Sequence, residues 1–478
     1  MVARILRRVF FGVVTLAAVA AGGEGLARIT GAGSGTFPSP FPFQELPRTV
    51  ARVAGARLYV AGRTRVAPTV KAGRRFLLFG ESAAEGDGYA PWVGMGGVAE
   101  RTLRHALTGP VELINMATPG LGSRQIAEMV RTRVSDEALD GLIFYVGNNE
   151  LHELRGLKTV MPHYDAHTEL LRRRLWRSHA YRALARFLIP PPTPFEVPVG
   201  KWPALGTLTT QADADDRALA MLLFEENFRT ILGIAAAAHL PVVLSTVAVN
   251  EFDWVDGEGS AEERSLFDQA QTQERAGKHA EAVRLFHASE SVATRPVRAL
   301  PEARSMERQL AGEYGVTLCD IDLNLSQLSA HRVPGSQWFN DACHPNLEGH
   351  AQIGRMLAAC TLTAIGEPAG SAPLERIPAV RLDGWAESAG VRPVDDGSAE
   401  AALRTGNAAF TAKQLDQAAA AYTEAERRGA APGIVAWNRG LAALYSGNLT
   451  AAREYVKSAQ PYFPDDAEVR ATAATLGL

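Results

Sequence analysis

The sequence predicts an α/β domain built on a parallel sheet, followed by a smaller all-α helical domain. Three observations favour this arrangement. Short apolar runs that end in glycine or polar residues alternate with amphipathic stretches, as strands alternate with helices in a helix-covered parallel sheet. A Pro/Gly-rich break at residues 367–397 is followed by alanine-rich sequence typical of helices. In that last part Gly406 and Ala425 recur as Gly440 and Ala459, 34 positions later, which indicates repeated helical hairpins.

Composition and charge narrow the class of protein. A chain of 478 residues is too long for one ordinary core, so two or three domains are expected. Apolar residues make up 46% and charged residues 21%, a balance typical of folded proteins. A formal net charge of −3 gives no electrostatic reason to expect nucleic acid as a partner. The three cysteines lack CxxC spacing and are odd in number, so neither a zinc site nor a disulfide scaffold is expected, and no cofactor is predicted.

Residues 1–30 are predicted to be an export segment. Three arginines within the first eight residues precede the uncharged run 9–21, which has the length of a signal-peptide core. Residues 18–20 offer an A-x-A cleavage site. An uncleaved membrane anchor and a buried N-terminal helix are the alternatives. Export would place the rest of the chain in the periplasm or cell envelope, and an uncleaved segment would anchor it to the inner membrane.

The predicted α/β domain spans residues 74–366. Its five strand candidates are Phe76–Phe79, Val111–Ala117, Gly141–Gly147, Leu240–Val249 and Val316–Leu323. A helical hairpin is predicted as an insertion at residues 262–295. The Gly/Pro-rich stretch before the domain, residues 31–73, is interpreted as a linker or an extended wrapping segment. Residues 367–397 form a second predicted linker, and residues 398–478 form the repeats.

A serine follows the first predicted strand, in the stretch "FLLFGES", at Ser82. A serine hydroxyl is a poor nucleophile until a histidine within hydrogen-bond reach accepts its proton. That imidazole in turn needs a carboxylate to hold its tautomer and stabilise the cation that forms. The late stretch "NDACHPN" supplies Asp341 and His344, three positions apart and able to lie side by side. A turn serine without a catalytic role is the alternative interpretation of Ser82.

Two further polar turns follow the second and third strands. Gly120 lies in "PGLGS" and Asn149 in "GNNE". Because the carboxyl ends of parallel strands share one edge of a sheet, both residues can lie near Ser82. The backbone N–H of Gly120 and the amide of Asn149 are suitable donors to an oxyanion. A turn glycine and a strand-end cap are the alternatives, and the nearby His152 and Glu153 either line the pocket or begin a solvated helix.

The blocks "GES", "PGLG", "GNNE" and "DACH", in this order, resemble the SGNH subgroup of the GDSL esterase/lipase superfamily over roughly residues 74–365. The resemblance implies a flavodoxin-like three-layer α/β/α fold and an acyl-enzyme mechanism without a metal. The site that it implies has the catalytic residues Ser82, His344 and Asp341 and the oxyanion-hole residues Gly120 and Asn149. Glu81 and Glu150 replace the aspartates usual in two of the blocks, so substrates of typical members are not carried over.

The C-terminal repeat resembles the tetratricopeptide (TPR) repeat, which implies a possible protein partner. The matching residues are Trp437, Gly440, Gly447, Ala452, Ala459 and Pro464. The function predicted for the whole chain is an exported serine hydrolase that cleaves an acyl ester of a glycan, a lipid or another metabolite. The alternatives are an acyltransferase that forms the same acyl-enzyme, and a catalytically inactive TPR scaffold.

Overall fold

The computed structural model of the protein divides the chain into two compact units, residues 1–45 with 155–204 and residues 46–154 with 205–478. It describes residues 19–30, 43–44, 48–53, 56–61, 63–68, 71–86, 94–136, 138–160, 164–188, 196–197, 214–255, 260–294, 296–367, 399–411, 415–464 and 467–478. Most of the predicted export run and nearly all of the second predicted linker therefore lie outside the described residues.

The described elements alternate between strands and helices through the middle of the chain. The strands are β1 (Phe43–Gln44), β2 (Arg48–Val53), β3 (Ala56–Ala61), β4 (Arg63–Pro68), β5 (Arg74–Gly80), β6 (Val111–Asn115), β7 (Gly141–Tyr145), β8 (Glu196–Val197), β9 (Val242–Ser245) and β10 (Thr317–Cys319). The helices are α1 (residues 19–30), α2 (Ser82–Glu85), α3 (Met95–Ala106), α4 (Ser123–Asp136), α5 (Glu150–Val160), α6 (Ala166–Trp176), α7 (His179–Leu188), α8 (Ala214–Ala237), α9 (Ala261–Arg275), α10 (His279–Ser291), α11 (Pro301–Tyr314), α12 (Ile321–Leu328), α13 (Leu347–Ala364), α14 (Ala399–Thr411), α15 (Leu415–Arg427), α16 (Pro432–Tyr445), α17 (Leu449–Ala459) and α18 (Ala467–Thr475).

A five-stranded parallel sheet lies at the centre of the larger unit. Its strand order is β10-β9-β7-β5-β6, and Phe76 of β5 lies opposite Leu113 of β6 and Gly141 of β7. All five predicted strands are present in this sheet. The predicted α/β fold with a parallel sheet is therefore confirmed.

Helices cover both faces of this sheet, which explains why its strands are almost wholly apolar. On one face Phe76 and Leu78 share a core with α3 and α13. On the other face Phe79 stacks on Phe144 at 5.4 Å, and Phe144 meets Phe228 of α8 edge-to-face at 6.0 Å. Successive residues of β5 thus point into different cores, as the two-residue period of a strand requires.

An additional helical hairpin, formed by α9 and α10, lies between β9 and β10. Ser260 caps α9 by accepting the backbone N–H of Glu263. Ala270 and Phe286 bury the inner face of the hairpin together with Val333 of the segment before His344. The insertion is thus packed on the segment that leads to the predicted catalytic histidine.

Residues 48–53, 56–61 and 63–68, inside the stretch interpreted as a linker or wrapping segment, form a three-stranded antiparallel sheet, β2-β3-β4. The stretch "RTRV" alternates arginine with β-branched residues, a period of two that is typical of strands, and "RTVARV" is rich in valine and threonine, which favour strands. The linker interpretation of residues 31–73 rested on the glycines and prolines of residues 31–47, which precede these strands.

The C-terminal helices form two successive hairpins, α14 with α15 and α16 with α17. The repeated alanines Ala425 and Ala459 are completely buried. Their small side chains let the two helices of each hairpin approach closely. Trp437 is also completely buried. The last helix, α18, lies against β3 and β4, so the end of the chain packs on the small antiparallel sheet.

The smaller unit contains α1, α6 and α7, and β1 pairs there with β8. Glu24 of α1 accepts hydrogen bonds from the Ser178 hydroxyl at 2.7 Å and from the Ala180 N–H at 3.0 Å. The Glu24 carboxylate therefore joins α1 to the first turn of α7. Among the residues described, no helix has the length and apolar character needed to cross a membrane.

Candidate active site

Ser82 lies immediately beyond β5, at the first position of the single-turn helix α2. Gly80 makes this turn possible, because a Cβ there would lie 2.3 Å from the Ala84 Cβ and 2.8 Å from the Tyr145 carbonyl oxygen. The buried strand thus ends in a tight turn that leaves Ser82 partly accessible at the edge of the sheet.

Ser82, His344 and Asp341 form one continuous chain of hydrogen bonds. The Ser82 Oγ lies 2.8 Å from Nε2 of His344, although the two residues are 262 positions apart. The Nδ1 of His344 lies 2.7 Å from Oδ2 of Asp341. The structure therefore brings together all three residues that the sequence predicts to be catalytic.

Asp341 also holds its own loop in place. Its Oδ1 accepts the backbone N–H groups of Cys343 at 2.9 Å and His344 at 2.8 Å. One carboxylate oxygen thus fixes the backbone beside the imidazole while the other binds the ring. This arrangement sets the tautomer, with the proton on Nδ1 and the lone pair of Nε2 directed at the serine hydroxyl.

Burial and the neighbouring groups have opposite effects on the pKa of His344. Burial opposes the cation, yet the neighbouring groups raise the pKa of His344 well above its usual value. Burial also raises the pKa of the Cys343 thiol, which is therefore neutral near pH 7. Consequently Asp341 is the anion that stabilises the protonated imidazole. The pKa of the Asp341 carboxyl is lowered against the effect of burial by its hydrogen bond to His344.

A second histidine supports the same region. His350 on α13 is buried and accepts the backbone N–H of Met95 through Nδ1 at 3.2 Å, at the start of α3. Burial, followed by the charge of His344, lowers the pKa of His350 to about 3. His350 therefore remains neutral and positions the helix that follows the serine turn.

Gly120 and Asn149 lie on adjoining turns. Gly120 has φ +74°, a left-handed conformation that favours glycine, in the turn after β6. The Asn149 side-chain amide donates one hydrogen bond to the carbonyl of Leu121 at 2.9 Å. Because the amide nitrogen carries two hydrogens, this bond orients the group and leaves its second N–H available to a ligand. The two predicted oxyanion donors are thus linked through Leu121.

Glu81, which replaces the aspartate usual before the serine, organises the turn that carries Asn149. Its completely buried carboxyl accepts the backbone N–H groups of Gly147, Asn148 and Asn149 at 3.1, 2.9 and 3.2 Å. Burial raises the pKa of Glu81 to about 7, although the three N–H groups oppose this shift. Its position, directly after an apolar strand where a charge would be costly, is the sequence signal for this role.

Glu150, the other departure, has a different structural role. Its carboxylate accepts both the N–H of Ser123, at 2.9 Å, and the Ser123 hydroxyl, at 2.5 Å. The Ser123 hydroxyl in turn accepts a hydrogen bond from Asn227 of α8 at 2.8 Å. Burial raises the pKa of Glu150 well above its usual value, and the neighbouring carboxyls of Glu153 and Glu81 raise it further. Glu150 therefore ties the start of α4 to α5 and α8.

His152 and Glu153 are not solvated helix-start residues, because both are buried. Glu153 accepts the backbone N–H of Arg124 at 3.3 Å, so it also holds the first turn of α4. Within the described part of the chain, one group of side chains has its ligand atoms close enough for a metal ion, namely Asp341, Cys343 and His344. Both nitrogens of that histidine already serve the serine and the aspartate.

Comparison with known proteins finds distant likeness to several solved structures. No protein-family profile matches it, and no curated protein matches it either. Among solved structures, a putative lipolytic protein of the G-D-S-L family from Desulfitobacterium hafniense is 11% identical, with a TM-score of 0.31, over 60% of this chain and 99% of that chain. Axe2, an acetylxylan esterase from Geobacillus stearothermophilus, is 11% identical, with a TM-score of 0.32, over 64% and 100%. A GDSL-like lipase from Bacteroides thetaiotaomicron is 12% identical, with a TM-score of 0.31, over 61% and 88%. Likeness of this degree leaves the function to the chemistry of the site itself.

Proposed function

We propose that this protein is an SGNH-type serine hydrolase that cleaves an acyl ester through a covalent acyl-enzyme. The observation that carries the proposal is the hydrogen-bonded chain from Ser82 through His344 to Asp341. Its partners have the separations that general-base activation of a serine requires. A purely structural serine has no need of a histidine that is itself oriented by a carboxylate.

The reaction follows from the positions of the protons. The Ser82 Oγ attacks the ester carbonyl while Nε2 of His344 accepts the hydroxyl proton, and Asp341 stabilises the resulting imidazolium. The carbonyl oxygen becomes an oxyanion that accepts hydrogen bonds from the backbone N–H of Gly120 and from the side-chain amide of Asn149. His344 then returns the proton to the departing alcohol. Water repeats the sequence on the acyl-enzyme and releases the carboxylic acid.

A fluorophosphonate probe tests the nucleophile directly. The wild-type chain should be labelled and should hydrolyse p-nitrophenyl esters, and Ser82→Ala should abolish both properties without unfolding. Ser336→Ala is the matched control, because Ser336 is exposed in the segment that leads to Asp341 and His344. Its backbone N–H and carbonyl make its hydrogen bonds. Absence of labelling in the folded wild type would favour the scaffold alternative. Activity of Ser82→Ala within tenfold of wild type would reject the assignment.

The substrate class is proposed to be an ester of the cell envelope, either glycan-linked or lipid-linked. Export of the chain supports this choice and is itself inferred from the basic N-terminus and the uncharged run 9–21. A disulfide between Cys319 and Cys360 gives independent support, since such bonds persist mainly in oxidising compartments. A reporter fusion that is active only outside the cytoplasm would test export. A screen of p-nitrophenyl esters of graded length and of acetylated glycans would test the substrate class.

The helices α14–α17 are proposed to be two TPR units that recruit a protein partner. Their 34-residue period and their buried alanines support this proposal. A chain that ends at Pro373 should keep its activity on small esters and lose the partner or its localisation. Unfolding of that shorter chain would instead make the helices a structural part of the hydrolase.

A further inference from the structure

The smaller unit exposes an unusual share of large apolar side chains. Six of the thirteen that are exposed among the described residues lie on α1, α6 and α7. These six are Val19, Leu26, Ile29, Leu171, Leu175 and Leu184. The spacing of Leu26 and Ile29, and that of Leu171 and Leu175, puts each pair on one face of its helix. We define these six side chains as the apolar face of the smaller unit.

The same helices carry a strong positive charge. Residues 164–188 contain six arginines against two acidic residues, a net charge of +4 in a chain whose formal charge is −3. Arg172 and Arg174 are exposed and lie on α6 between the exposed Leu171 and Leu175, and the exposed Arg177 caps the end of the helix. Trp176, half-buried between them, meets Tyr181 edge-to-face at 6.1 Å. Arginine, leucine and tryptophan together are the composition of helices that lie in a membrane interface.

The position of this surface in the chain favours the same partner. The uncharged run 9–21 leads directly into α1. Glu24 of α1 accepts hydrogen bonds from Ser178 and Ala180 at the start of α7, so α7 must follow α1 wherever the N-terminal run takes it. If that run enters a bilayer, the basic helices are held at its surface.

We propose that α1, α6 and α7 form a membrane-docking surface for an anionic lipid bilayer, with the apolar face buried among the acyl chains and the arginines on the headgroup phosphates. An anionic bilayer is favoured as the partner because it offers headgroup phosphates to the net charge of +4 and acyl chains to the exposed leucines of the same helices. The proposal is independent of the ester chemistry at Ser82. Loss of one would leave the other intact.

Environment-sensitive dyes on the full-length chain separate this surface from the N-terminal run. Leu171→Cys and Leu184→Cys, each labelled with nitrobenzoxadiazole, should brighten severalfold on vesicles of equimolar phosphatidylglycerol and phosphatidylethanolamine. Leu449→Cys is the matched control, since Leu449 is 53% exposed against 57% for Leu171 and Leu184 but lies on α17. Its dye should not respond. The only free cysteine of the described chain, Cys343, is buried.

Charge variants test the choice of lipid. Arg172→Gln combined with Arg177→Gln should weaken partitioning onto the anionic vesicles by roughly 25-fold, since each arginine near such a surface contributes about a fivefold factor. Partitioning onto phosphatidylcholine vesicles should change little. The proposal is overturned if the dyes at positions 171 and 184 stay as exposed as the dye at position 449 while the chain sediments with vesicles. It is also overturned if they brighten without lipid as protein concentration rises, which would indicate a second copy of the chain.

Discussion

Glu81→Gln is expected to lower kcat by about tenfold to a hundredfold while leaving KM nearly unchanged. In the wild type Oε1 of Glu81 accepts the N–H groups of Gly147 and Asn149, and Oε2 accepts that of Asn148. A glutamine keeps one oxygen and replaces the other with an NH₂ group. In either orientation at least one buried N–H then faces a donor, at a cost of about 1–3 kcal/mol.

The energetic cost of Glu81→Gln lowers kcat only if the altered turn displaces the Asn149 side chain from the oxyanion. Each 1.4 kcal/mol of lost transition-state stabilisation lowers the rate about tenfold. Steady-state kinetics on p-nitrophenyl acetate, well below the unfolding temperature, measures the effect. Glu307→Gln is the matched control, because Glu307 is an equally buried acid on α11 without a hydrogen bond to the Asn149 turn. A kcat within twofold of wild type for Glu81→Gln would refute the positioning role, as would a defect confined to KM.

The same variant has a distinct pH signature. Burial raises the pKa of Glu81 to about 7 from 4.5, so the folded state binds this proton more tightly than the unfolded state. The free energy of unfolding should therefore fall as pH rises from about 4.5 to about 7, by about 3 kcal/mol in total. Urea denaturation across this window should show the fall in wild type and a weaker one in Glu81→Gln. Equal slopes in both proteins would contradict the assignment.

Three further substitutions are expected to have separable effects. Asn149→Ala should lower kcat by on the order of 10²–10³-fold through loss of an oxyanion donor, and a defect that lay wholly in KM would indicate a ground-state contact instead. Asp341→Asn should lower kcat by about 10⁴-fold. It should also move the acid limb of kcat/KM to lower pH, because the carboxylate that raises the pKa of His344 is gone; an unmoved limb would count against the pairing. Cys360→Ser should lower the free energy of unfolding by about 4 kcal/mol, since the bond to Cys319 closes a separation of 41 residues, and reduction of wild type should reproduce that loss.

The sheet and the residues of the candidate site could be predicted because each has a local signal in the sequence. Apolar runs such as Phe76–Phe79 identify strands covered on both faces, and the parallel topology then brings the ends of different strands to one edge. Ser82 and His344 meet there although 262 positions separate them. Ser82 follows a strand but His344 does not, so its pairing with Ser82 was predicted from the chemistry of the residue types and from the resemblance of the four sequence blocks.

Other features depend on where side chains point, which no local pattern states. The carboxyl of Glu81 turns inward to three N–H groups, a direction set by the fold of the next two strands. Cys319 and Cys360 pair because β10 lies beside α13, and an odd number of cysteines concealed that pairing. The contact of α18 with β4 joins two stretches, one interpreted as part of a linker and one as a separate domain.

The bond between Ser82 and His344 has a consequence for how the chain folds during its synthesis. A growing polypeptide that has passed Ser82 still lacks its base until position 344 has been synthesised and the intervening strands have paired. Contacts of such long range form late, because the entropy of closing the loop must be paid first. Under the proposed function, an incomplete or unfolded chain is therefore inactive toward esters. Esterase activity would serve as a direct measure of the fraction of molecules that have completed folding.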